Sequence, residues 1–384
     1  MPPRKLLPLI GFALACTTST HGGTVDAGSG DDEADASAAT DARVDAGAPE
    51  TVEQMVARIR RDVEPEYEIA YEGARFVPPA GQTLLVIGQT LGGIDEHVAS
   101  FPDEPLPGGW AAYWGIPSTD GLTETSLSDT GGRQNHQQLV DRFPNTVLQS
   151  GLWMVGTWDV AKDTAAGSYD DVVRAFGAWA KSTERPIYLR IGYEFDGPHN
   201  ELEPSDYVAA YRRIVDLLRE DEVENVAFVW HSYAATPFGG RPVTAWWPGA
   251  EYVDWVGISL FGHMYSSRPS RDLEAVLDFA LQQRKPVMVG EATPTEGISE
   301  RSDRAWNTWF VNLFSFAYAK NIKAISLINE DWRRFTFTTR WGDARLQNND
   351  RVAEAFFMET NAPRYLKQSP ELFETLGYTP PGDR

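Results

Sequence analysis

Glu194 and Glu291 are the two carboxylates whose settings in the 384-residue sequence point to chemistry. Glu194 follows an extended run from Ile187. Side chains alternate along such a run, so Tyr188, Arg190, Gly192 and Glu194 share one face and Ile187, Leu189 and Ile191 the other. The apolar face suits packing against helices, which turns Arg190 and Glu194 toward the inside of a barrel with Glu194 at its rim. Burying a carboxylate and a guanidinium is costly unless they are paired, so function is the better reason to keep them there. Glu291 closes the run from Pro286, in which Val287, Val289 and Glu291 share a face. Either glutamate alone would do no more than cap a loop and face solvent. Two of them, each ending a strand, form the pair that acid/base and nucleophilic attack on a single bond requires.

The elements that must position this pair are legible as alternation. Short β-branched runs predict strands over Thr83–Gly88, Trp110–Trp114, Val147–Val155, Ile187–Glu194, Val226–His231, Val253–Phe261, Pro286–Glu291 and Ala324–Asn329. Between them lie helical stripes: Val172, Val173, Phe176 and Trp179; Tyr207, Tyr211, Ile214 and Leu218; Leu273, Val276, Leu277 and Ala280; Trp306, Phe310, Leu313 and Phe314. The stretch Ser232–Gly249 is rich in Pro and Gly and reads as a loop. Eight strands with interposed helices predict an α/β fold, a single-domain (β/α)8 TIM barrel over residues 51–384, with its chemistry at the C-terminal strand ends. The rival is an open doubly wound sheet. It calls for a glycine-rich phosphate turn after the first strand, and Gly88 to Gly93 match that turn poorly.

Three segments carry a family resemblance that spans roughly residues 75–360: Arg190, Glu194 and Gly197; Pro248, Gly249, Tyr252 to Trp255 and Gly257; Pro286 to Met288 and Glu291. In these the chain resembles the clan A retaining glycoside hydrolases, and most of all glycoside hydrolase family 26, the β-mannanase family. The resemblance implies Glu194 as general acid/base and Glu291 as nucleophile, acting by double displacement on a β-linked polysaccharide such as mannan. Retention requires the two carboxyls roughly 5–5.5 Å apart. A charged Arg190 nearby would keep Glu291 ionised. The same resemblance makes Trp332 a platform beneath the sugar, and Arg190, Tyr193, Trp230, His231, Phe261, His263 and Asp331, at or near the predicted rim, are further candidate substrate contacts. Two positions depart from the pattern. Tyr193 stands where the family has His before the acid/base, and Phe261 stands where a tyrosine bonds the nucleophile. His263 or Tyr265, from the following loop, are the candidates to replace that tyrosine. Trp246, Trp247 and Trp158 are further rim aromatics suited to stacking on pyranose rings. Trp153 and Trp255 are assigned to core packing, and Glu330 joins Asp331 as an acceptor for sugar hydroxyls.

Composition limits the alternatives. The formal charge of −21 repels phosphate backbones and argues against nucleic acid as a partner. No His-Glu-x-x-His spacing, nucleophile-elbow serine or phosphate loop occurs, so neither a metal nor a cofactor is expected. Residues 1–16 read as an export signal, with Arg4 and Lys5 before an apolar stretch. Ala13 to Cys16 then resemble a lipobox, which predicts a lipid anchor at Cys16, the single cysteine. An ordinary cleaved signal with an incidental cysteine is the alternative. Residues 17–50 hold eight acidic residues, one basic residue and no aromatic, the composition of a solvated linker. The expectation is an exported hydrolase at the cell envelope or secreted, monomeric, touching the membrane only through its anchor. The alternatives are a non-catalytic carbohydrate-binding lipoprotein on the same barrel, or a transglycosylase.

Overall fold

Parallel strands alternating with helices account for most of the computed structural model, which describes residues 50–381 apart from 63–64, 66–68, 129–131, 156–158 and 337. The expected leader with Cys16, the linker up to residue 49, and Trp158 lie outside the described residues. Val52–Arg384 form one compact unit.

The eight barrel strands are β1 (Thr83–Gly88), β2 (Gly109–Gly115), β3 (Val147–Trp153), β4 (Ile187–Ile191), β5 (Val226–Ser232), β6 (Trp255–Leu260), β7 (Val287–Ala292) and β8 (Ala324–Ile328). Each pairs in parallel with the next, and β8 returns to pair with β1 in the register Leu84↔Ala324 to Gly88↔Ile328, so the sheet closes on itself. Closure leaves a (β/α)8 barrel, and each of the eight predicted strands overlaps an observed one, with ends that differ by up to three residues. A short hairpin, Ser126–Ser128 with Gly132–Gln134, was not expected and projects from the segment after β2.

Two apolar layers hold the barrel. Inside it, Leu84, Val86, Ala111, Val147, Tyr188, Ala227, Val229, Trp255, Met288 and Ala324 fill the lower half, and Phe76, Leu372, Leu376 and Tyr378 close the bottom. Outside it, the predicted helical stripes pack on the strands: Val173, Phe176 and Trp179 from Asp170–Ser182; Tyr207, Tyr211, Ile214 and Leu218 from Pro204–Glu220; Leu273, Val276 and Leu277 from Arg271–Gln282. With the bottom sealed by hydrocarbon, the inward-facing polar residues gather at the upper end.

The structure corrects two details of the strand reading. β4 ends at Ile191, not at Glu194. Gly192 then takes φ 54°, where an added Cβ would lie 2.6 Å from the Met154 methyl group, and Glu194 itself takes φ 54°. In β7, Val287 and Val289 belong to the outer layer while Met288 faces inward, so Glu291 does not share the valines' face. The register against β6 slips between Ile258 and Ser259, so that Ile258 pairs with Val289 but Ser259 with Glu291. The extra residue is Gly290, and this bulge turns Glu291 into the barrel.

Candidate active site

Arg190, at the inward side of β4, is fully buried among groups from three other strands and the turn after its own. Its Nη1 donates to Glu291 Oε1 at 2.6 Å and to His231 Nδ1 at 3.0 Å. Its guanidinium carbon lies 5.0 Å from the ring centre of Tyr113 and 5.1 Å from that of Tyr193, a cation beside two rings that themselves meet edge-on at 5.2 Å. Glu291 is nearly enclosed, at 7 % exposure. Its Oε1 also accepts from the Tyr113 hydroxyl at 2.8 Å, so that among the described residues both of its donors fall on Oε1. Tyr113 comes from β2, and its hydroxyl also touches Gln89 Oε1 at 3.1 Å.

Glu194 is placed by its turn. Its N–H donates to the His231 carbonyl at 2.7 Å, and its own carbonyl accepts from Gly197 N at 2.8 Å and from the Asn200 amide at 2.9 Å. A non-glycine residue held at positive φ is a conformation that surrounding structure must enforce, and such residues concentrate at functional sites. The carboxylate is 6 % exposed as a residue and takes two bonds: Ser259 Oγ on Oε1 at 2.5 Å and His199 Nε2 on Oε2 at 2.7 Å.

A single tautomer joins these parts. Arginine can only donate, so His231 Nδ1 must accept, which puts the imidazole proton on Nε2. Nε2 then donates to Ser259 Oγ at 3.0 Å, and Ser259 passes its own hydrogen to Glu194. Burial, reinforced by the Arg190 charge, pushes the His231 imidazole down to about 3, so it stays neutral. The Gly290 bulge is locked from β3, where Gln149 donates to its carbonyl at 2.7 Å. A Cβ on Gly290 would meet His231 Cε1 at 2.7 Å, which explains the glycine.

The charges of the two carboxyls are set by these contacts. Burial raises Glu194, but the hydrogen bond and charge of His199, with His231 and Ser259, outweigh it and hold the carboxyl well below its usual range. For His199, burial works downward, and the partnership with Glu194 overrides it and raises the imidazole. Glu291 is raised by burial, opposed by Arg190 and assisted upward by the charge of Glu194. Protonating Glu291 would nevertheless strand a fully buried guanidinium, which is costlier than the burial it relieves.

Other predicted positions fall differently. Trp230 does not reach the cleft: it faces the outer layer, fully buried, stacks on Phe195 at 4.6 Å and donates to the Trp246 carbonyl. Trp246 is likewise fully buried, bonded to the Leu202 carbonyl. His231 lies beneath the carboxylates instead of at the rim. Asp331 is taken up by Arg333 in a two-pronged ion pair, at 2.8 and 2.9 Å, and is not an open hydroxyl acceptor. Glu330 is buried, accepting from the Thr90 hydroxyl at 2.6 Å. His263 accepts from the Phe261 N–H, and Tyr265 accepts from the N–H of Glu296. Neither supplies the missing tyrosine hydroxyl to Glu291; Tyr113 does. Trp153, assigned to the core, is instead 43 % exposed at the upper end of β3, while Trp255 is buried inside the barrel as expected. Trp332 donates to Thr293 and packs with Phe261, Phe335 and Trp341. Through Tyr233, this cluster continues to His199, 5.1 Å ring to ring, as an aromatic wall along one side of the mouth.

Sequence reading missed Tyr113, Gln149, His199 and Ser259. Tyr113 and Gln149 sit at inward positions of their strands, a period-2 signal that was available. His199 lies in an irregular turn and gave no such signal. Among the described residues, no cluster of His, Cys, Asp or Glu is arranged to hold a metal ion.

A closed parallel barrel carrying two glutamates, one after the fourth strand and one at the end of the seventh, defines the class of clan A glycoside hydrolases. Residues 186–336 match the model of glycosyl hydrolase family 26. Over 331 residues it is 28 % identical to the β-1,3-xylanase TXYA of a Vibrio species, covering 79 % of this chain and 70 % of that protein. A β-1,3-xylanase of an Alcaligenes species is 28 % identical over 336 residues, covering 80 % and 69 % respectively. Among solved structures, the catalytic domain of a family 26 endo-β-1,4-mannanase from Bacillus sp. JAMB-750 superposes with a TM-score of 0.52 at 15 % identity, over 83 % of this chain and 98 % of that one. A family 26 β-mannanase from Bacteroides ovatus gives 0.51 at 11 % identity, over 79 % and 95 %. At these identities the structural likeness speaks for the fold alone.

Proposed function

We propose that this chain is a retaining glycoside hydrolase of β-linked polysaccharides, with Glu291 as nucleophile and Glu194 as general acid/base. The observation that carries the reading is that both carboxylates sit at one barrel mouth and are tied to the same buried Arg190, directly for Glu291 and through His231 and Ser259 for Glu194. Both donors to Glu291 fall on Oε1, which frees Oε2 to attack the anomeric carbon. As that bond forms, the glycosidic C–O bond breaks toward the leaving oxygen, and Glu194 supplies the proton. In the second half, water attacks the anomeric carbon and gives its proton to Glu194, and the bond to Glu291 breaks.

For substrate, β-1,3-xylan is the first choice and β-mannan the second. Two relatives named as β-1,3-xylanases align over four-fifths of the chain, whereas Tyr193 and Phe261 depart from the mannanase pattern. Export with a lipid anchor at Cys16, and action as a monomer, complete the proposal. Labelling with radioactive palmitate that disappears in Cys16→Ser would support the anchor.

The test is hydrolysis of β-1,3-xylan, β-1,4-xylan, mannan and mixed β-glucan, with NMR of the first product formed. Cleavage with the β-anomer appearing first supports the reading. Binding without cleavage, unaltered by Glu194→Gln and Glu291→Gln, would replace it with a carbohydrate-binding role.

A further inference from the structure

The proton that Glu194 must deliver has to be stored somewhere in the resting site, and the geometry shows where. Oε1 of Glu194 is committed to the Ser259 hydroxyl, which leaves Oε2 to exchange protons. His199 Nε2 stands 2.7 Å from that oxygen. The imidazole is about one-third exposed and the carboxylate almost enclosed, so the histidine is the member of the pair in touch with water. Gly197 makes room for it, since a Cβ there would lie 2.5 Å from His199 Cε1. The Tyr233 ring, from the segment that follows the neighbouring strand β5, meets it edge-on at 5.1 Å. On the assignment of Glu194 as acid/base, we propose that His199 is its proton partner: the two side chains hold one proton between them and hand it across this contact as substrate enters and product leaves.

The step balances. In the empty site His199 is an imidazolium beside a Glu194 carboxylate. A sugar ring over the pair excludes water, and separated charges become costlier than neutral groups in such surroundings. The proton then moves from Nε2 to Oε2, leaving a neutral imidazole and a carboxylic acid. Glu194 protonates the leaving oxygen, later receives the proton of the attacking water, and returns it to His199 when product departs. The charges facing His199 favour this resting state: burial opposes its protonation, but Glu194, Glu291 and Asp196 all attract the proton. His199 does not touch the reacting atoms, so it acts as a positioning residue that works through Glu194.

His199→Gln and His199→Ala separate this role from simple support, because glutamine can still donate to Oε2 but cannot carry the proton. In the full chain, the basic limb of kcat/KM is expected to move down by at least about one pH unit in both variants, since the last proton is then lost from a carboxyl instead of an imidazole. An aryl glycoside whose leaving group needs no proton should recover most of the lost kcat. Restoration of the wild-type profile by glutamine would overturn the proposal. Nitrogen NMR of the imidazoles supplies a readout independent of turnover: His199 should titrate at lower pH in Glu194→Gln than in the wild type, and an unchanged midpoint would overturn the shared proton. Should no polysaccharide be cut at all, the hydrolase reading falls by itself, while the NMR titration still decides the pairing.

Discussion

Glu194 and Glu291 share one guanidinium nitrogen. Nη1 of Arg190 reaches Glu291 directly and reaches Glu194 through His231 and Ser259, with every hydrogen bond on that path donated in the same direction. The arginine therefore does more than neutralise Glu291: it fixes the tautomer of His231, and through it the orientation of the Glu194 carboxylate. Altering any member should disturb the carboxylate at the far end.

Ser259 is the last donor on that path. Ser259→Ala removes a 2.5 Å bond to a buried carboxylate, worth about 1.5–3 kcal/mol for a charged acceptor, or roughly a ten- to hundredfold loss in kcat. Because the lost bond favoured the charged form, the Glu194 carboxyl should also rise. Steady-state kinetics across pH check both, and an unchanged kcat would show that Ser259 is a bystander.

Tyr113 takes the place on Glu291 that Phe261 cannot fill. Tyr113→Phe keeps the ring on Arg190 and deletes only the hydroxyl. A kcat/KM reduced by about ten- to a hundredfold is expected, with an unchanged melting temperature as the control for folding. Restoring a hydroxyl through Phe261→Tyr in the wild-type background should bring no gain, since the oxygen it would approach already has two donors.

Gly290→Ala should cost stability as well as activity. The new methyl group would sit 2.7 Å from the His231 ring and 3.2 Å from Arg190 Cδ, in a region with no room to yield. Overpacking of this kind costs typically about 1–3 kcal/mol, a drop of several degrees in melting temperature. A wild-type melt would show that the bulge can relax.

Stability should fall as the medium is acidified from pH 6.5 toward 4. His97 and His136 are buried neutral, with burial pushing each down to about 4. The unfolded chain takes up these protons near pH 6.5 and the folded chain only near 4, so the unfolded state binds more protons throughout the interval and stability rises with pH across it. His136 donates from Nδ1 to the Gly121 carbonyl and accepts from Ser150 on Nε2. His136→Asn should flatten the dependence of melting temperature on pH over this window, and an equal slope would refute the assignment.

The sequence by itself determined the barrel and its two glutamates. Alternating β-branched runs and amphipathic stripes are local patterns, and burying both sets at once leaves a closed parallel sheet inside a helical ring. Arg190 was legible for the same reason, as a charge on the inward face of an otherwise apolar strand. Which side chains serve the glutamates was decided only in three dimensions. The bulge at Gly290, not strand alternation, aims Glu291 inward, and a turn at positive φ, not the end of β4, presents Glu194. Trp230 moved to the outer layer, and Tyr113, Ser259 and His199 entered from three separate places in the chain. Backbone irregularities and long-range hydrogen bonds carry no period, so they come into being only when the strands that hold them have closed.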